Sequence, residues 1–272
     1  VIYLRNFRLS DRRLTCSNIY PYNVFRNQEG FVFFFDGITV LYGNNGSGKS
    51  TLLNSIAFTL DIKGKELATP NTFGNDNYCV RFAEECSAGY GEDEFGRQLK
   101  GLPKDSRYIK SEDILYEIKK IQQRQVLGDG MLYDRVKDGE SVGEAKDYLN
   151  SRQGRKQQGR IEFAQEKYSN GETSIQYLKD HLIPDSLYLL DEPEVSLSPQ
   201  NQVEMAEIIN EMARLLGCQF IIATHSPFML GTLNAKIYDM DSPDYRVAEW
   251  SELDNVRYFY EFFKRREDEF GE

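Results

Sequence analysis

Four short stretches carry residue types suited to handling phosphate, a divalent cation and water. The first is Gly43-Asn44-Asn45-Gly46-Ser47-Gly48-Lys49-Ser50-Thr51, with Gly43, Gly48, Lys49 and Ser50 spaced as G-x-x-x-x-G-K-S. Glycines at those points let a backbone wrap a phosphate with its N–H groups inward, and a helix start behind it adds a favourable dipole. Lys49 can reach β- and γ-phosphates, and the Ser50 hydroxyl can ligate Mg2+. The second is Asp191-Glu192, directly after the apolar run Leu187-Tyr188-Leu189-Leu190. Asp191 can hold the metal through water, and Glu192 can position or deprotonate an attacking water. The third is His225, which follows Gln219-Phe220-Ile221-Ile222-Ala223-Thr224. A histidine at a strand end can donate a hydrogen bond to a γ-phosphate and sense its loss. The fourth is Ser169-Asn170-Gly171-Glu172, where a hydroxyl and bare amides at a helix start can bind a second anion. Taken singly, these read equally well as a Gly-rich turn, two solvated carboxylates, a structural histidine and a Ser-capped helix. Their fixed order along one chain is what favours chemistry.

The elements around them must bring these stretches together. An apolar strand over 37–42 feeds the glycine-rich loop, and a helix over 49–60 leaves it with Leu52, Leu53, Ile56, Ala57 and Leu60 on one face. The runs 31–35 and 38–42, joined by Asp36-Gly37, predict a hairpin. Further on, 78–82 reads as a short strand, 89–104 as an exposed loop and 107–110 as another strand. A helix is expected from Ser111 through Ile114, Leu115, Ile118 and Ile121, and another from Ser169 to about Leu182. Pro199 opens a long amphipathic helix to about Leu216, and a final aromatic-rich helix is expected over 255–270. Apolar strands alternating with helices predict an α/β fold with a mainly parallel sheet covered on both faces. The N-terminal strands would be antiparallel. A single domain over 1–272 would carry an inserted, mainly helical subdomain over 84–166. Three strands end in polar chemistry, at Tyr42, Leu190 and Ala223. Ligands of open α/β sheets lie outside such carboxyl ends.

Composition narrows the class. The chain has 272 residues, 40% of them hydrophobic, with 17 Tyr and 17 Phe, which is enough for a sizeable core. Apolar runs stop well short of the roughly 20 residues of a membrane span. The opening Val1-Ile2-Tyr3-Leu4-Arg5 reads as a strand and not as a signal peptide, so a cytoplasmic protein without a membrane partner is expected. Cys16, Cys79, Cys86 and Cys218 form no C-x-x-C, which argues against zinc or a disulfide framework. A net charge of −10 argues against a surface coated with nucleic-acid contacts, while a local basic surface stays open.

The whole set, Gly43 to Ser50, Ser169-x-Gly171-Glu172, Leu187 to Glu192 and Thr224-His225-Ser226-Pro227, resembles the Walker A, signature, Walker B and H-loop of ABC-type ATPases. Asn6-Phe7-Arg8 and Asp191-Glu192-Pro193-Glu194-x-x-Leu197-Ser198-Pro199 make it similar to the SMC, RecF and OLD-like group, and to stand-alone bacterial "AAA family ATPases" within it. The resemblance covers roughly 1–60 and 165–245. It implies ATP and Mg2+ as cofactors, with Gly43, Asn44, Asn45, Gly46, Ser47, Gly48, Lys49, Ser50 and Thr51 around the phosphates. Ser50 and Asp191 would hold the metal, with Glu112 as a third candidate at the Q-loop position. Glu192 and His225 would be catalytic. A head-to-tail homodimer would sandwich two ATPs, with Ser169, Gly171 and Glu172 facing the partner's nucleotide. Three departures point to slow hydrolysis: the signature reads Ser-Asn-Gly-Glu, Ser198 stands at the D-loop aspartate position, and a clear Q-loop glutamine is missing. Tyr20, Tyr22 and Phe25 are candidates to stack on adenine, or else core aromatics.

Three functions compete. The chain could be an ATP-driven switch for DNA processing, or a module whose ATP state controls a partner nuclease or toxin in a defence complex. It could also be a transporter nucleotide-binding subunit, which the Asn-Phe-Arg start and the missing Q-loop disfavour. The acidic charge leans toward the second.

Overall fold

Ile38–Tyr42 is a run of five buried residues, and such a run is stable as a strand only when both of its faces are covered. It forms β3. The computed structural model describes residues 1–16, 18–66, 77–93, 95–111, 175, 179, 182–195 and 197–271. The chain divides into two compact units: Val1–Lys110, Ile183–Val195 and Gln202–Glu272 in one, and Ser111–Leu182 and Ser196–Asn201 in the other.

Within the first unit two sheets form. The antiparallel one contains β1 (Leu4–Arg8), β2 (Val32–Phe34) and β4 (Ser87–Tyr90), in the order β2-β1-β4. The parallel one adds β5 (Arg107–Lys110), β6 (Leu187–Asp191), β7 (Gln219–Ala223) and β8 (Lys236–Asp239) to β3. Its order is β5-β6-β7-β3-β8. Like β3, both β6 and β7 are buried along their whole length. The observed fold is therefore the expected α/β class, a parallel sheet with antiparallel N-terminal strands.

Helix α1 (Lys49–Thr59) buries Leu52, Leu53, Ile56 and Ala57 and packs on β6 and β7. Beside it lies α2 (Tyr78–Glu85), whose first turn is capped by the Asn77 side chain accepting from the N–H groups of Cys79 and Val80. Helix α3 (Pro199–Leu215) buries Met205, Ala206, Ile209 and Met212, which lie on one face at helical spacing. Helix α4 (Pro227–Thr232) starts at Ser226, whose hydroxyl accepts from the Met229 N–H. Helix α5 (Asp254–Lys264) buries only Val256 and leaves Tyr258, Tyr260 and Phe263 exposed.

Several expectations fail for identifiable reasons. The runs on either side of Asp36-Gly37 do not pair with each other. β2 pairs with β1, and β3 joins the parallel sheet between β7 and β8. Asp36-Gly37 is thus a crossover between sheets, and Thr39 Oγ1 accepts the Asp36 N–H there. Residues 78–82 belong to helix α2, because the Asn77 cap outweighs the β-propensity of Tyr78, Val80 and Phe82. Part of the expected loop over 89–104 is strand β4. Of the expected insert, residues 84–110 belong to the first unit, since β4 and β5 pair with β1 and β6. The rest of it, with its expected helices, lies outside the described residues apart from Ser111. The final helix stops at Lys264, and Glu267–Glu269 continues as a single 3-10 turn.

The fully buried side chain of Gln219 links the N-terminal strands to the parallel sheet. Its Oε1 accepts from the N–H groups of Tyr3 and Leu4, both at 2.9 Å. Its Nε2 donates to the carbonyls of Leu4 at 2.8 Å and Asp36 at 3.1 Å. A buried amide is stable only when its polar atoms are satisfied, and here both are.

Candidate functional site

The three strands that end in chemistry, β6, β7 and β3, are neighbours in the parallel sheet. Asp191 is paired with Ala223, and Leu41 with the same Ala223, so the strand ends stand in one row. Everything that follows projects from that row.

β3 runs into the glycine-rich loop. Gly46 at φ 87° and Gly48 at φ 96° lie in the left-handed region, where a side chain is strained. A Cβ on Gly43 would sit 2.5 Å from Ser47 Oγ, and one on Gly48 would sit 2.6 Å from Val24 Cγ1. No side chain caps the start of α1 at Gly48, which leaves first-turn N–H groups for an anion. Lys49 is buried, and its Nζ donates to the carbonyls of Gly43 at 2.7 Å and Asn44 at 3.1 Å. The ammonium thus lies across the loop it would serve. Both the N–H and the Nδ2 of Asn44 donate to Asp241 Oδ2 at 2.9 Å, so an acid just after β8 anchors the loop.

Asp191, at the end of β6, is buried between two hydroxyls. Ser50 Oγ donates to its Oδ1 and Tyr108 to its Oδ2, each at 3.0 Å. Burial pushes the Asp191 carboxyl up from its ordinary range, and these two hydrogen bonds oppose the shift. The next residue, Glu192, has φ 47°, left-handed for a residue with a side chain, and its N–H donates to Ala223 O at 2.9 Å. Backbone strain of this kind persists where surrounding contacts enforce it, and it clusters at active sites. Glu192 Oε1 lies 3.6 Å from His225 Nδ1, beyond the end of β7. Below them, the buried Glu194 accepts from Thr224 Oγ1 at 2.5 Å and from the His225 N–H at 3.2 Å.

The residues fit a nucleotide and its metal. Among the described residues, the buried side-chain N and O atoms without a partner are Ser47 Oγ, Glu194 Oε2 and His225 Nδ1. All three belong to this row of loops. For the metal, the chain offers a hydroxyl and a carboxylate, Ser50 and Asp191, hard oxygens already in contact. Mg2+ typically takes only one or two carboxylates and completes its shell with water and phosphate oxygens. Among the described residues no cluster of three His, Cys, Asp or Glu exists that would form an all-protein cage.

Of the residues picked from the sequence, Gly43 to Thr51, Asp191, Glu192 and His225 are brought together. Ser169, Gly171, Glu172 and Glu112 lie outside the described residues. Among the adenine candidates, Tyr22 and Phe25 are buried, each with its ring against Phe82, and they belong to the core. Tyr20 is 45% exposed, and its hydroxyl lies 3.4 Å from Thr51 Oγ1 beside the loop. Ser198, in place of the D-loop acid, accepts the N–H of Asn201 at the start of α3. Sequence reading missed Tyr108, Asp241 and Asn255. Asn255 donates its Nδ2 to His225 O at 3.4 Å and its N–H to Tyr42 Oη at 3.1 Å, tying α5 to two of the three strand ends. The only signal for Tyr108 was its place in a short strand, and for Asp241 its place after one.

The family described as "AAA domain, putative AbiEii toxin, Type IV TA system" matches residues 64–231, more than half of the chain. The chain belongs to this AAA domain family. The match begins after the glycine-rich loop and includes Asp191, Glu192 and His225. No curated protein matches this chain. Among solved structures, a nucleotide-free ATP-binding cassette from an ABC transporter is 15% identical, with 94% of this chain and 99% of that one covered and a TM-score of 0.46. The SMC head domain from Thermotoga maritima is 12% identical over 88% of this chain and 94% of that one, with a TM-score of 0.41. The Smc head domain from Pyrococcus furiosus, bound to the C-terminal domain of ScpA, is 14% identical over 98% and 100%, with a TM-score of 0.42. In the AAA domain chain itself, no helix of the described residues is long and apolar enough to cross a membrane.

Proposed function

We propose that this AAA domain protein is an ABC-type ATPase of the SMC, RecF and OLD-like group, which binds and hydrolyses ATP and dimerises on it as a switch. The observation that carries the reading is the single row of strand ends that collects Lys49, Ser50, Asp191, Glu192 and His225. Lys49 would exchange its two loop carbonyls for β- and γ-phosphate oxygens. Ser50 and Asp191 would hold Mg2+, which supplies positive charge to the phosphates during transfer. Glu192, aimed by its strained backbone, takes the proton of the attacking water. His225 donates a hydrogen bond to the γ-phosphate. Tyr20, exposed beside Thr51, would stack on the base.

Ser169, Gly171 and Glu172 would complete the site of a second copy, head to tail, so ATP would close the dimer and hydrolysis would open it. The family description names a toxin–antitoxin system, and the net charge of −10 disfavours a DNA-coated surface. Both support a defence complex in which ATP state controls a partner effector, over direct DNA processing.

Light scattering with Mg·ATP tests the switch. Glu192→Gln should retain ATP and double in mass on adding it, while the wild type returns to monomer as ATP is consumed. Absence of a size shift in Glu192→Gln sinks the dimer. Salt-independent absence of DNA binding in the trapped state would favour the effector reading.

A further inference from the structure

One buried acid in the site has no part in the scheme above. Glu194 is 5% exposed. Its Oε1 is committed: Thr224 Oγ1 and the His225 N–H both donate to it. The Thr224 oxygen in turn accepts the Ser226 N–H at 3.0 Å. Hence the carboxyl is anchored at one oxygen, and its Oε2 is left buried and without a partner. On the neighbouring ring, His225 Nδ1 is also buried and without a partner. That nitrogen lies 3.9 Å from Oε1 of the same carboxyl and 3.6 Å from Glu192 Oε1. Two complementary orphan atoms thus sit on side chains that are already neighbours, and burial makes leaving either one unpaired costly.

We propose that Glu194 is the positioning residue of His225: a single proton shared between Glu194 Oε2 and His225 Nδ1 locks the ring with its Nε2–H turned toward the phosphate site. The proton can rest on oxygen or on nitrogen. In both cases the pair carries the same net charge and Nε2 keeps its hydrogen, so the donor is preserved. Burial pushes the Glu194 carboxyl up, which favours keeping that proton within the pair. Glu192 is the other acid facing Nδ1. With Glu194 holding the ring, Glu192 is free to turn to water. The assignment rests on the reading of His225 as a γ-phosphate donor.

The experiment is steady-state ATP hydrolysis by the full chain, wild type against E194L, E194Q, H225A and E194L/H225A. E194L should lower kcat by roughly tenfold or more and leave the KM for ATP within about twofold, because a misdirected donor acts on the transition state. E194Q should lose at most about threefold, since its carbonyl can accept from Thr224 while its amide N–H donates to Nδ1. Adding E194L to H225A should cost nothing further, which is the signature of two residues acting as one unit. If E194L does not fold, E194D replaces it, with the carboxyl drawn back by one methylene and the same loss expected. Wild-type kcat in E194L, or a loss that adds fully to that of H225A, overturns the inference and leaves the ATPase reading standing. A wild type without turnover refutes the ATPase reading and takes this inference with it.

Discussion

Tyr108→Phe removes one oxygen atom and isolates the contact that steadies the buried Asp191. Tyr108 is 3% exposed, so its ring stays packed in the variant and only the hydroxyl is lost. That hydroxyl donates to Asp191 Oδ2 at 3.0 Å. A hydrogen bond to a charged group contributes about 1.5–3 kcal/mol to stability. In a chain of this size each kcal/mol moves Tm by about 2–4 °C, so Tyr108→Phe should melt about 3–12 °C lower at neutral pH. The pH dependence carries the test further. Burial already raises the Asp191 carboxyl, and losing one of its two donors raises it more. The native state of the variant then binds more protons than the unfolded state over a wider window, so its stability falls more steeply as pH rises through that window. The difference from wild type is full where Asp191 is ionised in both proteins, and it shrinks as acid protonates Asp191 in both. Thermal unfolding in a pH series, followed by circular dichroism, reads this directly. A drop smaller than about 1 °C at neutral pH, or one that persists unchanged in acid, would refute the hydrogen bond as the source of the effect.

Four further outcomes are expected. Asp191→Asn removes the carboxylate that would hold the metal, so the Tm gain on adding Mg·ATP should disappear. Chelating the metal from wild type with ATP present should remove the same gain. Lys49→Ala deletes a cation poised on two loop carbonyls; at about 1.5–3 kcal/mol per charge-assisted bond, ATP affinity should fall by at least roughly tenfold in calorimetric titration. Gly48→Ala places a side chain at φ 96°, 2.6 Å from Val24 Cγ1. The left-handed backbone alone costs about 1–2 kcal/mol, and both Tm and ATP affinity should drop.

Parts of this site were legible in the chain because local rules govern them. The glycine-rich loop, its flanking strand and its helix depend on residues close in sequence, and β3 and α1 formed where their apolar periods placed them. The strands before Asp191 and His225 are continuous apolar runs, which only a covered parallel sheet accommodates. The Asp36-Gly37 turn and residues 78–82 were misread for the opposite reason. A turn dipeptide does not say which strands will pair, and a single capping asparagine decided helix over strand at Asn77. Tyr22 and Phe25 could not be separated from Tyr20 by type. Packing against Phe82 took the first two into the core and left the third beside Thr51.

By itself, the sequence determined the chemistry on offer: a glycine-rich loop with a lysine and a serine, two carboxylates after a buried strand, and a histidine after another. Residue type and spacing along the backbone are sufficient for that, since each station is built within a few residues. Tertiary structure alone decided what those stations share. The order β6-β7-β3 sets Asp191, Ala223 and Leu41 in one row, although they are far apart in the chain. It brings Tyr108 and Ser50 onto the two oxygens of Asp191, Asp241 onto Asn44, and Asn255 onto His225. It also leaves one unpaired buried atom on each of Glu194 and His225, whose side chains are neighbours. Burial is the reason. A polar atom removed from water must find its partner across the fold, and that partner's identity follows from sheet order and register.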